Sequence, residues 1–390
     1  MPRYLSADYI FDGAKMHRNS VLVLNEEGQV ISLSSEEEQG ETPEFFKGIL
    51  CPGFINSHCH LELSHLKGKI EKGKTLPGFI KEVVPKRLAS GSEIDAAIVA
   101  AEKEMLDDGI VAVGDICNSE ATFPRKAVSE LVYHSFMEVF SPDPAKAHDM
   151  LNLGKTLQSR MKQMYPQSGS SITPHAPYSV SDSLFKLINE SCYVDDGLIS
   201  IHNQETVSED EMFVSASGTM YELMNAFGNG IPHFRASGFR SLPSTIVKLP
   251  RCSNVLLVHN TFTNSDDIER ALKYTPRIWF CLCPKANLYI ENRLPDVNIF
   301  TSYSDKIVVG TDSLASNDTL SVLEELKTLK EHFPQLKTQM LLQWATSNAA
   351  DFFGWKELGT FKAGAYPGVN HISTDEEGEI SASSKVKRVG

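Results

Sequence analysis

Eight short apolar runs divide the middle of this chain: ILCPGFINSH, VAVGDI, LVYHSFMEV, SITPH, LISIH, VLLVH, RIWFCLC and KIVVGTD. They run apolar without strict alternation, so they read as strands buried on both faces, the pattern of parallel sheets. Between most of them lie stretches with helical periodicity, such as IDAAIVAAEKEMLDDG and DTLSVLEELKTLKEHF. Eight buried strands separated by helices predict an α/β chain built on a (β/α)8 TIM-like barrel. The interval 206–253 exceeds a simple connection and predicts extra helices or a lid.

The two ends read differently. SVLVLNEEGQVISL near the start and HISTDEEGEISASSKVKRV near the end both place a Glu-Glu-Gly turn between short alternating runs. Residues 1–50 and 356–390 are therefore expected to join in a small β-sandwich domain, with residues 51–355 forming the barrel. The acidic run SSEEEQGE at 34–41 reads as a solvated loop.

Chemistry enters through the polar residues that end the buried runs. His58 and His60 end the first, His175 the fourth, His202 the fifth, His259 the sixth and Asp312 the eighth. In a barrel these positions converge on one face, the face that holds active sites. Strand residues two apart share a side, so His58 and His60 can both aim inward while Cys59 points away. Imidazoles with one carboxylate suit a divalent ion such as Zn²⁺ or Fe²⁺. Cys281 and Cys283, a Cys-x-Cys pair, read instead as buried thiols near the rim, because thiolate zinc sites use wider spacing and four ligands.

A formal net charge of -13 argues against nucleic-acid polymers and anionic membranes as partners. Seven scattered cysteines show no disulfide framework, and the N-terminal residues lack the basic head and apolar run of a secretory signal. These features point to a cytoplasmic protein acting on a small molecule, with a homodimer left open. The Walker, dinucleotide-binding and G-x-S-x-G fingerprints are absent.

PGFINSHCHLELS, HAPYSVS, SIHNQE, LLVHN and VVGTDSLASND resemble, in order, the barrel motifs of the amidohydrolase superfamily. The likeness runs from Pro52 to Ala350 and is strongest to the branch of cytosine deaminases, chlorohydrolases and aminodeoxyfutalosine deaminases. It implies a barrel with a small sheet domain from both termini. It also implies that His58, His60, His202 and Asp312 hold one divalent metal, Zn²⁺ ahead of Fe²⁺. His175 stands where two-metal relatives carry a bridging lysine, which favours a single ion.

The same resemblance gives Glu205, in HNQE, the place of a proton shuttle and sets His259 beside the reacting water or leaving group. Asp312 would accept the water proton while touching the metal, whose charge lowers the pKa of bound water from 15.7 toward ~7. Glu62, His175 and Asn287 are candidate substrate contacts. The expected reaction is hydrolytic release of ammonia from a nucleobase, nucleoside or related nitrogen heterocycle. A chlorohydrolase or an amide or cyclic-amide hydrolase on the same metal is the alternative, and a barrel that binds without turnover is a third reading.

Overall fold

Gly53 marks the turn from one sheet to another. A Cβ there would lie 2.3 Å from Val111 Cγ1 and 2.8 Å from the Pro367 carbonyl oxygen, so no larger residue fits. The structure, a computed structural model, describes residues 1–35, 41–195, 197–227 and 231–390. Most of the SSEEEQGE segment, residues 36–40, lies outside the described residues.

Before that turn come β1 (Arg3–Phe11), β2 (Met16–His17), β3 (Ser20–Leu24), β4 (Val30–Ser35) and β5 (Glu44–Pro52). After it come β6 (Phe54–Cys59), β7 (Ile110–Cys117), β8 (Val132–Val139), β9 (Gly169–Pro174), β10 (Ile199–Asn203), β11 (Val255–His259), β12 (Ile278–Leu282) and β13 (Ile307–Val309). The chain closes with β14 (Val369–Ile372) and β15 (Val386–Arg388). Both chain ends share a seven-stranded sheet in the order β15-β14-β5-β1-β3-β4, with β2 paired to β1. β5 joins the two ends, running parallel to β1 and antiparallel to β14.

The eight middle strands are the eight runs read from the sequence. They form two parallel four-stranded sheets, β6-β7-β8-β9 and β10-β11-β12-β13. One seam is bridged by His202 N–H to the His175 carbonyl at 3.0 Å, next to β9 and β10. Across the other seam, Thr311 N–H reaches the His58 carbonyl at 3.0 Å, and Cys59 and Asp312 form a parallel bridge. The two seams close the ring into a barrel.

Alternation along β8 shows how the strands are used. Phe136 belongs to an interior cluster with Ile55, Ala112, Leu256, Cys281 and Val308. Tyr133 and Met137 join the larger cluster between strands and helices, with Met105, Met161 and Leu326. Burying both faces accounts for the unbroken apolar runs. The outer helices begin at capped termini. Ser90 accepts from Glu93 N–H ahead of Gly91–Asp107, and Asn264 and Asp267 form a capping box before Ser265–Tyr274.

The interval after β10 holds the helices Val207–Ser215, Gly218–Ala226 and Ser241–Thr245. Met212, Phe213, Met220 and Leu223 from this interval pack with Leu76, Tyr178 and Tyr289 in an apolar cluster separate from the barrel core. These partners follow strands β6, β9 and β12, so the cluster ties together segments that leave the C-terminal ends of the strands. No helix among the described residues is long and apolar enough to cross a membrane.

Candidate metal centre

The C-terminal strand ends bring the predicted side chains together. His58 lies in β6 and His60 just beyond it. His202 lies in β10, His259 ends β11, and Asp312 follows β13 by three residues. His58 Nε2 lies 3.2 Å from His60 Nε2, which lies 3.3 Å from His202 Nε2. Asp312 Oδ1 stands 3.4 Å from His60 Nε2 and 3.7 Å from His58 Nε2. Ligand atoms of His58, His202, His259 and Asp312 also lie within 4.8 Å of one another.

These separations fit one small cation. Four ligands arranged tetrahedrally ~2.0–2.1 Å from a common ion stand about 3.3–3.4 Å from each other. His202 Nδ1 donates to the His175 carbonyl at 2.8 Å, which leaves the Nε2 lone pair turned toward the other ligands. Burial lowers the pKa of His58 to about 4 and that of His60 well below the ordinary value, so both rings are neutral at neutral pH. Burial would raise Asp312, but the hydrogen bond with His58 and the surrounding imidazoles override it and keep the carboxyl well below its usual range. Ser316 Oγ donates to Asp312 Oδ2, leaving Oδ1 for the histidines. Neutral imidazoles facing one ionised carboxylate form a donor set for a divalent metal.

The backbone around this set is strained. Gln204, His259, Asn260 and Asp312 have φ values of 43°, 74°, 57° and 56°, a left-handed region that side chains with a Cβ enter at a cost. His259 ends β11, and the other three sit on the turns after β10, β11 and β13. Hydrogen bonds hold them there. Gln204 N–H donates to Glu209 Oε1 at 3.0 Å, and Asn260 Nδ2 donates to the Leu257 carbonyl at 2.8 Å. Asn287 Oδ1 accepts from His259 Nδ1 at 2.9 Å, which leaves His259 Nε2 as an acceptor.

That nitrogen lies 3.6 Å from Glu205 Oε2. Glu205 is 4% exposed. Burial raises its pKa to about 8; His202 opposes the shift, while Asp312 and Glu291 add to it. A carboxyl of that kind carries its proton near pH 7 and can give it away.

The candidate substrate contacts divide. His175 stands beside the ligands, its ring centroid 4.9 Å from that of His202. Asn287 is engaged with His259. Both Glu62 oxygens are occupied: Oε1 accepts from Arg87 at 2.9 Å, and Oε2 accepts from Asn118 N–H at 3.1 Å and Ser119 Oγ at 3.0 Å. Cys281 and Cys283 are buried with their sulfurs 3.9 Å apart.

One residue at this centre is missing from the sequence reading. Glu138, next to last in β8, is buried with Oε1 3.7 Å from His202 Nδ1. It sits in the run LVYHSFMEV as the one carboxylate, a single residue from the strand's end. The rule that selected His202 and His259 would have selected it.

The model of the amidohydrolase family matches residues 49–387. Aminodeoxyfutalosine deaminase of Deinococcus radiodurans is 26% identical over 321 residues, which cover 78% of this chain and 73% of that protein. Adenosine deaminase of Helicobacter pylori is 25% identical over 319 residues, 79% of this chain and 75% of that protein. The solved structure of Helicobacter pylori aminofutalosine deaminase with methylthio-coformycin shares the fold with a TM-score of 0.82 at 20% identity, covering 96% of this chain and 93% of that one.

Proposed function

The chain belongs to the amidohydrolase family, and from that premise we propose that it is a deaminase releasing ammonia from a nucleobase, nucleoside or related nitrogen heterocycle. It is a divalent-metal-dependent hydrolase of C–N bonds other than peptide bonds. The relatives named as deaminases of aminodeoxyfutalosine and adenosine support the narrower reading. The observation that carries it is Glu205: a buried carboxyl with a pKa of about 8 beside the ligand set is a proton donor placed for a ring nitrogen.

In this reading His58, His60, His202 and Asp312 hold the metal, and Zn²⁺ suits three imidazoles and one carboxylate at tetrahedral spacing. The ion supplies a positive charge that activates water at neutral pH. Glu205 gives its proton to the ring nitrogen next to the amino-bearing carbon, making that carbon electrophilic. Asp312 takes a proton from the attacking water and returns it to the leaving amine. His259 is held by Asn287 with its Nε2 lone pair toward Glu205, placed to accept a hydrogen bond from the attacking water. Ring protonation by Glu205 activates the carbon whichever group leaves, and the relatives named as deaminases set the deaminase ahead of the chlorohydrolase alternative. The seven thiols suit a reducing cytoplasm, where we place the enzyme.

The test is ammonia release from a panel of aminopurines, aminopyrimidines and their nucleosides by the metal-loaded protein. Release from at least one member, lost on removal of the metal, is the expected result. Dechlorination or amide cleavage with no ammonia from any heterocyclic amine would overturn the proposal.

A further inference from the structure

Glu138 and Phe136 are two residues apart in β8 and share a face, and Phe136 packs in the barrel interior. Glu138 is 5% exposed. Its Oε2 accepts from Asn118 Nδ2 at 2.8 Å, and Asn118 Oδ1 accepts from Arg87 at 2.9 Å. Oε1 receives no hydrogen bond from the described residues. Its near neighbour, His202 Nδ1, is 3.7 Å away and already donates to the His175 carbonyl.

His175 presents a second open acceptor. Its Nδ1 lies 2.7 Å from Ser179 Oγ, whose own proton goes to the Ala176 carbonyl. With the hydroxyl proton on that carbonyl, Ser179 Oγ accepts from Nδ1–H, which leaves the lone pair on Nε2. A carboxylate oxygen of Glu138 and ring nitrogens of His175 and His202 lie within 4.8 Å of one another. With His202 Nδ1 committed to a carbonyl, Glu138 and His175 alone are too few to hold a second metal.

Two adjacent acceptors call for two donors. Resting on the deaminase reading, we propose that Glu138 and His175 form a hydroxyl-binding subsite beside the metal ligands, selecting a nucleoside over a free base or a nucleotide. A free base brings no hydroxyl to this pair, so the carboxylate stays desolvated without a donor. A phosphate brings negative charge against Glu138. Arg87, the neighbouring cation, is already paired with Glu62.

The experiment compares four probes on the metal-loaded enzyme: 6-aminopurine riboside, its 2′,3′-dideoxy analogue, the free base and the 5′-monophosphate. The riboside is expected to exceed each of the others in kcat/KM by at least about 30-fold. Glu138→Ala, and the isosteric Glu138→Gln should the first not fold, should shrink the riboside-to-base ratio by about 30-fold. That loss should lie mainly in KM, with one metal still bound per chain. Base or dideoxy analogue turned over as fast as the riboside, or an unchanged ratio in both variants, would overturn the subsite while leaving the deaminase reading intact. Two metals per chain, one lost on Glu138→Gln, would also overturn it. No ammonia from these probes or from the wider heterocycle panel would overturn the deaminase reading, and the subsite with it.

Discussion

His60 Nε2 faces His58 Nε2 at 3.2 Å in a buried setting. Two ring nitrogens hold that separation when a proton or a metal cation lies between them. Burial pushes the pKa of both rings down, so at neutral pH both are neutral, and an imidazole with its N–H on Nδ1 turns the Nε2 lone pair toward a metal. Elemental analysis of purified protein should give one divalent ion per chain. His60→Ala or Asp312→Ala should reduce it to about a tenth or less. Chelation should lower Tm by several degrees, since a ligand at a thousand times its Kd stabilises by about 4 kcal/mol. Activity that survives complete metal removal would refute the assignment of these ligands.

Glu205→Gln keeps the size and polarity of the side chain but removes its transferable proton. The expected effect is a fall in kcat of about 10²- to 10⁴-fold, with metal content and Tm close to wild type. Steady-state kinetics on a confirmed substrate makes the comparison. A variant within threefold of wild type would remove Glu205 from the mechanism.

The same carboxyl sets a pH limb. Glu205 acts while protonated, and its pKa stands at about 8 in the folded protein. Below that value the acid form dominates, and above it the proton is lost to solvent. A profile of kcat against pH should therefore fall above about pH 8, and Glu205→Gln should flatten this alkaline limb at its low residual rate. An alkaline limb of unchanged shape in the variant would assign it to another group.

How far the sequence reached depends on which physical signal each feature left. The eight barrel strands were legible because burial on both faces demands unbroken apolar runs, as in VLLVH and RIWFCLC. His58, His202 and Asp312 stood out because a polar group ending such a run needs a partner. Glu138 obeyed that same rule and was passed over, since attention fell on histidines. Glu62 shows the opposite case: it lies two residues from a metal ligand, yet Arg87, Asn118 and Ser119 occupy it, partners 25, 56 and 57 residues away in sequence that only the folded chain brings together. The left-handed turns at Gln204, His259 and Asp312 left no glycine to announce them. They exist because tertiary hydrogen bonds, such as Glu209 to Gln204, hold residues where local preference would not.

Gly310 tests how tightly the strand ends are fitted around the ligands. A Cβ at this position would sit 2.8 Å from His58 Cβ, 2.9 Å from His58 N and 2.9 Å from Cys281 Sγ. Two of those atoms belong to the backbone or to the root of a side chain, so no rotamer change relieves the contact. Gly310→Ala must displace β6 at His58. Overpacking of this kind costs about 1–3 kcal/mol, and the displaced imidazole should weaken metal binding by at least about tenfold. Gly91→Ala serves as the control, because a Cβ there meets nothing within 4 Å and the residue opens a helix. Thermal melts and metal competition with a chromophoric chelator measure both effects. If Gly310→Ala melts and holds its metal like Gly91→Ala, the packing of β13 against His58 does not fix the ligand.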